Sequence, residues 1–139
     1  MNRSKLRENI FKLLYTAEFQ KEEEMPQQLS LYFEFTGDEE IQPKDQLYIE
    51  EKYRRVTEHI DEIDEMLNQV SEGWKTSRMG KVDLAILRLA LYEMKYDDEI
   101  PVGVAINEAV ELAKSFGREE SASFINGILG KLARENDEK

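Results

Sequence analysis

At 139 residues, with 40% apolar content, three prolines and seven glycines, the chain has the size and composition of one compact helical domain. It holds no cysteine, which excludes disulfides, thiolate zinc sites, iron-sulfur clusters and cysteine nucleophiles and points to an intracellular protein. Its net charge of -11 argues against phosphate binding unless the basic groups are segregated, and no apolar stretch approaches the ~20 residues that cross a membrane.

From the amino end, residues 1–7 hold Arg3, Lys5, Arg7 and the terminal amine without an acid, whereas the acids gather at 22–24, 38–40, 58–65, 97–99 and the tail. Screening confines exposed charges to about 8–10 Å at physiological salt, so this basic end can act independently of the overall charge. Leu6, Ile10, Leu13, Leu14 and Ala17 recur at helical spacing and predict a first helix over 5–20 with those five as its core face. Phe11, Tyr15 and Phe19 fall ~130–170° from the centre of that face and form an aromatic ridge. Phe11 and Phe19 are expected in the core of a helix sandwiched between two layers. Tyr15, most nearly opposite the core face and carrying a hydroxyl, is the expected surface ring.

After the acidic turn, Met25 and Pro26 open a short helix with Leu29, Tyr32 and Phe33, which T-G-D-E-E ends at a loop around Gly37. From Asp45 onward, Ile49, Tyr53, Val56, Ile60, Ile63, Leu67 and Val70 alternate steps of four and three. That spacing fits a coiled-coil dimer or a long bundle helix, or two in tandem, and the length of the chain favours the bundle. His59 is the single histidine; helical spacing scatters it and Asp61, Glu62 and Asp64 around an acidic face, so it is expected to be solvated, with no metal site. Gly73 breaks the helix and Trp74 is expected to plug the junction of the two halves, with base stacking as its alternative.

The segment Val82–Met94, V-D-L-A-I-L-R-L-A-L-Y-E-M, is apolar at ten of thirteen positions, and its exceptions, Asp83, Arg88 and Glu93, point in three directions. A helix apolar all round is buried all round, so each of those charges is expected to find a partner, a rim or a second protein. Downstream, Pro101 and Gly117 bracket an amphipathic helix in which Val102, Ile106, Ala109, Ala113 and Phe116 share one side. Asn126-Gly127 would signal a hairpin between strands, yet Phe124, Ile125, Ile128, Leu129 and Leu132 keep helical spacing. Gly127 costs about 1 kcal/mol of helix propensity, which predicts that another helix approaches its backbone.

No nucleophile with its base, glycine-rich phosphate loop or spaced metal set occurs, and the many carboxylates fall on helix surfaces without the apolar pocket that tunes a catalytic acid. The chain therefore reads as a binding protein, without catalytic residues, metal or cofactor. The expected fold is all-α: about seven helices in one domain, with a sub-bundle over 1–72 and a second over 73–135.

The runs V-D-x-A-I-L-R-L-A-L-Y-E-M, I-P-V-x-V-A-I-N-E-A-V-E-L-A-K-S-F-G and F-I-N-G-I-L, in that order, resemble the NusB family of bacterial transcription antitermination factors. The resemblance covers roughly the last sixty residues continuously, with a shorter echo at the amino end. There the family pattern R-x-x-A-x-Q-x-L-Y is kept by Arg7, Leu14 and Tyr15, while Ile10 stands for the small residue, Lys12 for the glutamine, and the leading arginine cluster is thinner. The resemblance implies a cytoplasmic, non-enzymatic protein that pairs with NusE, a small-subunit ribosomal protein, to hold single-stranded boxA RNA on elongating RNA polymerase during ribosomal RNA synthesis. It implies RNA contacts from Arg3, Lys5, Arg7, Lys12 and Tyr15, shared with Arg118, Glu120 and Phe124 lying beside them, and it places Asp83 at the NusE contact. Phe124 also fits the core through its spacing with Ile128 and Leu132. A purely protein-binding scaffold without RNA contact is the alternative. Fusion to an RNA cytosine methyltransferase, known for NusB-like domains, is not expected, since the sequence stops soon after the last bundle helix.

Overall fold

The computed structural model describes residues 1–19, 41–71 and 75–137, and these form six α-helices and one 3-10 turn. In chain order the helices are α1 (Arg3–Ala17), α2 (Pro43–Glu58), α3 (Ile60–Val70), α4 (Lys81–Tyr96), α5 (Val102–Phe116) and α6 (Ser121–Asp137), with the 3-10 turn at Thr76–Arg78. The short helix expected after Pro26, the Gly37 loop, the Gly73 break and the Trp74 plug lie outside the described residues. No helix among the described residues is long and apolar enough to cross a membrane.

The chain divides into two compact units, Met1–Thr57 and Glu58–Lys139. In the first, α1 starts where the side chain of Asn2 accepts the Lys5 backbone N–H at 2.8 Å, an N-cap that satisfies one otherwise orphaned donor. Its expected core residues, Leu6, Ile10, Leu13, Leu14 and Ala17, are all buried. On α2 the buried apolar side chains are Ile49, Tyr53 and Val56. The Met1 ammonium joins Asp45 of α2 at 3.0 Å, both side chains largely buried, which ties the start of α1 to the first turn of α2.

The second unit is organised around α4. Every residue from Leu84 to Glu93 is buried, as an all-round apolar helix requires. α5 and α6 pack against α4 and against each other, and α3 packs on α4 and α6. Arg88, one of the three charges of α4, donates from Nε and Nη2 to the two carboxylate oxygens of Asp64 on α3 at 2.9 and 2.7 Å. Glu93 is fully buried and also has a partner.

Contacts group the chain differently from the expected sub-bundles over 1–72 and 73–135. The seam from Ile49 to Val70 is two helices in tandem, interrupted at His59, and the second of them belongs with the carboxy-terminal unit. Ile63, Leu67 and Val70 are buried there, and the Asp64–Arg88 pair anchors α3 to α4.

Two expectations within the second unit are corrected. The core face of α5 is Ala105, Ala109, Leu112 and Ala113, whereas Val102 and Phe116 remain 39% and 38% exposed at the two ends of the helix. Alanines let helix axes approach more closely than larger side chains do, and α5 has two neighbours to approach. Gly127 lies within α6, as its flanking residues predict, but a Cβ there would meet nothing within 4 Å, so no close helix contact explains it.

Candidate nucleic-acid interface

Because core residues take up most of the circumference of α1, the accessible positions are few and fall in register. At ~100° per residue, Lys5, Glu8, Lys12 and Tyr15 lie within a sector of about 80°, roughly opposite the core face, and all four are exposed or half-buried. The stripe runs from charge to ring. Lys5 and Lys12 both donate to the same oxygen of Glu8, Oε2, at 3.0 and 3.3 Å. Burial pushes the Glu8 carboxyl up, but the hydrogen bond from Lys5 and the charge of Lys12 outweigh it and hold the group below the usual carboxylate range.

One turn further on stands Tyr15, braced by two other rings. Phe11 lies 6.4 Å from it and Phe19 meets it edge-on at 5.2 Å. Phe11 is buried as expected, but Phe19 is 61% exposed, which corrects its assignment to the core. The reason is local: α1 ends at Ala17, so Phe19 lies past the helix and packs on the ridge.

The basic end differs from the expected one in one residue. Arg3 and Lys12 are exposed and Lys5 half-buried, while Arg7 is 6% exposed and engaged by partners. Helical geometry accounts for this, since position 7 falls about 80° from the centre of the core face. The first turn of α1 holds no acid, although the positive end of a helix dipole favours one by about 0.3–1 kcal/mol. Arg3 and Lys5 thus add their charge to a positive helix end, which is the condition under which an anion is welcome.

In the second unit, the turn between α5 and α6 presents Arg118, Glu119 and Glu120 to solvent. Ser121, itself buried, accepts the Arg118 N–H through Oγ at 2.9 Å, and the Glu120 carbonyl accepts the Phe124 N–H at 3.1 Å. A Cβ on Gly117 would lie 2.6 Å from the Ser121 Cβ and 2.8 Å from the Ala113 carbonyl oxygen, so this turn closes only around glycine. Phe124 is half-buried rather than a core residue.

Asp83 sits in the first turn of α4, half-buried, with no hydrogen bond or ion pair among the described residues. The helix dipole favours an acid there. Elsewhere in this unit, His59 stacks on Tyr96 with ring centroids 4.1 Å apart, and its Nδ1 lies 3.4 Å from Glu62. Tyr96 donates its hydroxyl to Glu62 at 2.5 Å, an arrangement that residue spacing alone did not reveal. No group of three or more His, Cys, Asp or Glu side chains that could hold a metal occurs among the described residues.

Comparison with known proteins places this geometry in context. The sequence profile of the NusB family matches residues 4–134. A transcription antitermination protein NusB from Agathobacter rectalis is 50% identical over 135 residues, 96% of this chain and all of that protein. The protein of the same name from Clostridium acetobutylicum is 40% identical over the full length of both. Among solved structures, NusB of T. maritima superposes with a TM-score of 0.86 at 35% identity, covering 97% of this chain and 92% of that one. A chain from the crystal structure of antitermination factors NusB and NusE in complex with dsRNA shares the fold, with a TM-score of 0.81 at 22% identity over 96% of both chains.

Proposed function

The chain belongs to the NusB family, and from that premise we propose that it is an RNA-binding transcription antitermination factor that pairs with NusE to hold boxA RNA on RNA polymerase in the cytoplasm. The family is not enzymatic, and the protein's work is assembly. The observation that carries the RNA assignment is the stripe on α1, where two lysines and a braced tyrosine occupy the sector left open by the core. Lysines supply phosphate contacts, and the ring supplies a face on which a base can stack. Arg118 offers a further phosphate donor, Phe124 a part-exposed ring and Glu120 an acceptor for base edges, each contributing contacts to the same RNA. Arg7, being buried, supports α1 from within. Asp83, charged and without a partner among the described residues, is the proposed contact to a basic NusE.

Salt dependence tests this reading. Each phosphate neutralised on a single strand contributes about -0.7 to the slope of log affinity against log salt. With Arg3, Lys5 and Lys12 as its basic groups on this face, the protein alone should show a slope no steeper than about -2, steepened by NusE. Stacking is worth roughly 1–3 kcal/mol per base and is insensitive to salt, so Tyr15→Ala should weaken binding at constant slope, whereas Arg3→Ala should weaken it and flatten the slope. Phe124→Ala should lower RNA affinity more than it lowers folding stability. Asp83→Lys should abolish NusE binding while preserving the helical circular dichroism. A protein that binds NusE normally yet retains no boxA RNA, alone or in the complex, would be the protein-binding scaffold instead.

A further inference from the structure

The surface assigned to RNA contains an acid that phosphate binding does not call for. Glu8 lies between Lys5 and Lys12 on the open stripe, and a single oxygen, Oε2, takes both ammonium groups at 3.0 and 3.3 Å. Two cations that converge on one carboxylate oxygen are placed to converge on one phosphate oxygen, which has similar size and charge. Side-chain pairs at these helical spacings are weak on an exposed surface, so exchanging one anion for another costs little. All three groups lie on one helix, with Lys5 in the first turn at its positive end.

We infer that Lys5 and Lys12 form a clamp for one backbone phosphate of single-stranded RNA, and that Glu8 is a built-in competitor that fills the clamp until a phosphate displaces it. This rests on the RNA-binding reading and adds a selectivity device to it. A bare pair of lysines would hold any polyanion. An internal carboxylate taxes every ligand equally for displacing it, so a ligand that brings charge alone gains little. A ligand that also stacks a base on Tyr15, only about 4.5 Å further along the helix axis than Lys12, still binds. Glu8 thus sets a threshold that charge alone does not pass and that charge together with stacking does. The lowered proton affinity of Glu8 keeps the competitor charged at neutral pH.

Glu8→Gln removes the charge while keeping side-chain length and helix propensity. Affinity is measured for two probes, a single-stranded boxA RNA and inorganic tripolyphosphate, which carries charge without bases. The expected result is a similar gain of about 3- to 10-fold for tripolyphosphate and for the RNA at low salt, and a salt slope for the RNA steeper by up to about 0.7. Both gains should vanish when Lys5→Met and Lys12→Met are combined with Glu8→Gln. Unchanged or reduced affinity for tripolyphosphate in Glu8→Gln overturns the inference. So does a gain that survives in the triple variant, because Glu8 would then act through its general charge and not through the clamp. Tripolyphosphate gain without boxA binding by either parent or variant, with or without NusE, would uphold the clamp and remove the RNA function.

Discussion

The Asp64–Arg88 pair offers a measurable test of how the second unit is held together. Asp64→Ala removes two charge-assisted hydrogen bonds, at 2.9 and 2.7 Å, from a guanidinium whose side chain is 10% exposed. Hydrogen bonds to charged groups contribute about 1.5–3 kcal/mol each, and an abandoned buried charge adds to the loss. Two features reduce it: the Asp64 side chain is 21% exposed, so solvent screens part of the pair, and Arg88 keeps other partners. A net loss of about 2–3 kcal/mol follows. In urea, with a slope of about 1–3 kcal/mol per molar for a protein of this size, the midpoint followed by circular dichroism should fall by about 1–2 M. The double variant Asp64→Leu with Arg88→Met should recover most of that loss, because an apolar pair of matching volume removes both the attraction and the desolvation cost. A loss below about 0.5 kcal/mol for Asp64→Ala would class the pair with ordinary surface bridges. A double variant no more stable than the single one would show that the charges themselves hold α3 in place.

Other substitutions probe positions where the packing is unusual. The Tyr53 hydroxyl is buried without a hydrogen-bond partner among the described residues, and burial pushes its ionisation upward, so Tyr53→Phe should leave stability unchanged or raise it by up to about 1 kcal/mol in a urea melt; an equal loss would reveal a partner. Gly127→Ala, with open space around the new methyl, should stabilise by about 0.5–1 kcal/mol. Gly117→Ala drives a Cβ to 2.6 Å from Ser121 and should destabilise by about 1–3 kcal/mol, both read from thermal melts. The hydrogen bond to Glu62 pushes Tyr96 up to about 12, above the ~10 of an unfolded tyrosine. Its contribution to stability is therefore complete below about pH 10 and is lost as pH rises through about 12. In an ultraviolet titration Glu62→Gln should return one late-ionising tyrosine toward the ordinary range.

How much was legible in the sequence depended on whether a feature is local to one helix. The burial of Leu84–Glu93 followed from its pattern, since the three charges among ten apolar residues point in three directions and leave no polar face. The need of Arg88 for a partner followed too, but not the partner, because Asp64 is 24 residues away on another helix. Glu8 was within reach of the same spacing rules that defined the core face, standing three residues from Lys5 and four from Lys12, yet it falls one residue beyond the run in which basic charge was sought. Phe19 was misplaced because its assignment depended on where α1 ends, and helix ends are set by a few competing hydrogen bonds rather than by periodicity. The α5 face was misread because hydrophobicity ranks valine and phenylalanine above alanine, while two close neighbours select for small side chains. The position of Arg7 is the reverse case: its angle to the core face was available, and a long cationic side chain with an apolar stem can lie along a core margin.

A helix with no solvent-facing side has a dynamic consequence. Partial openings of a protein proceed by peeling an element away from one side while the other remains solvated, and the middle of α4 offers no such side. Its amide hydrogens should exchange only when the whole second unit opens, so α4 is the stationary frame against which motions of the surrounding helices are defined. Asp83, the proposed docking residue, stands in the first turn of that frame and should move little with thermal breathing of the surface. A partner that engages it meets a fixed point, so the orientation of the resulting assembly is set by the protein's interior.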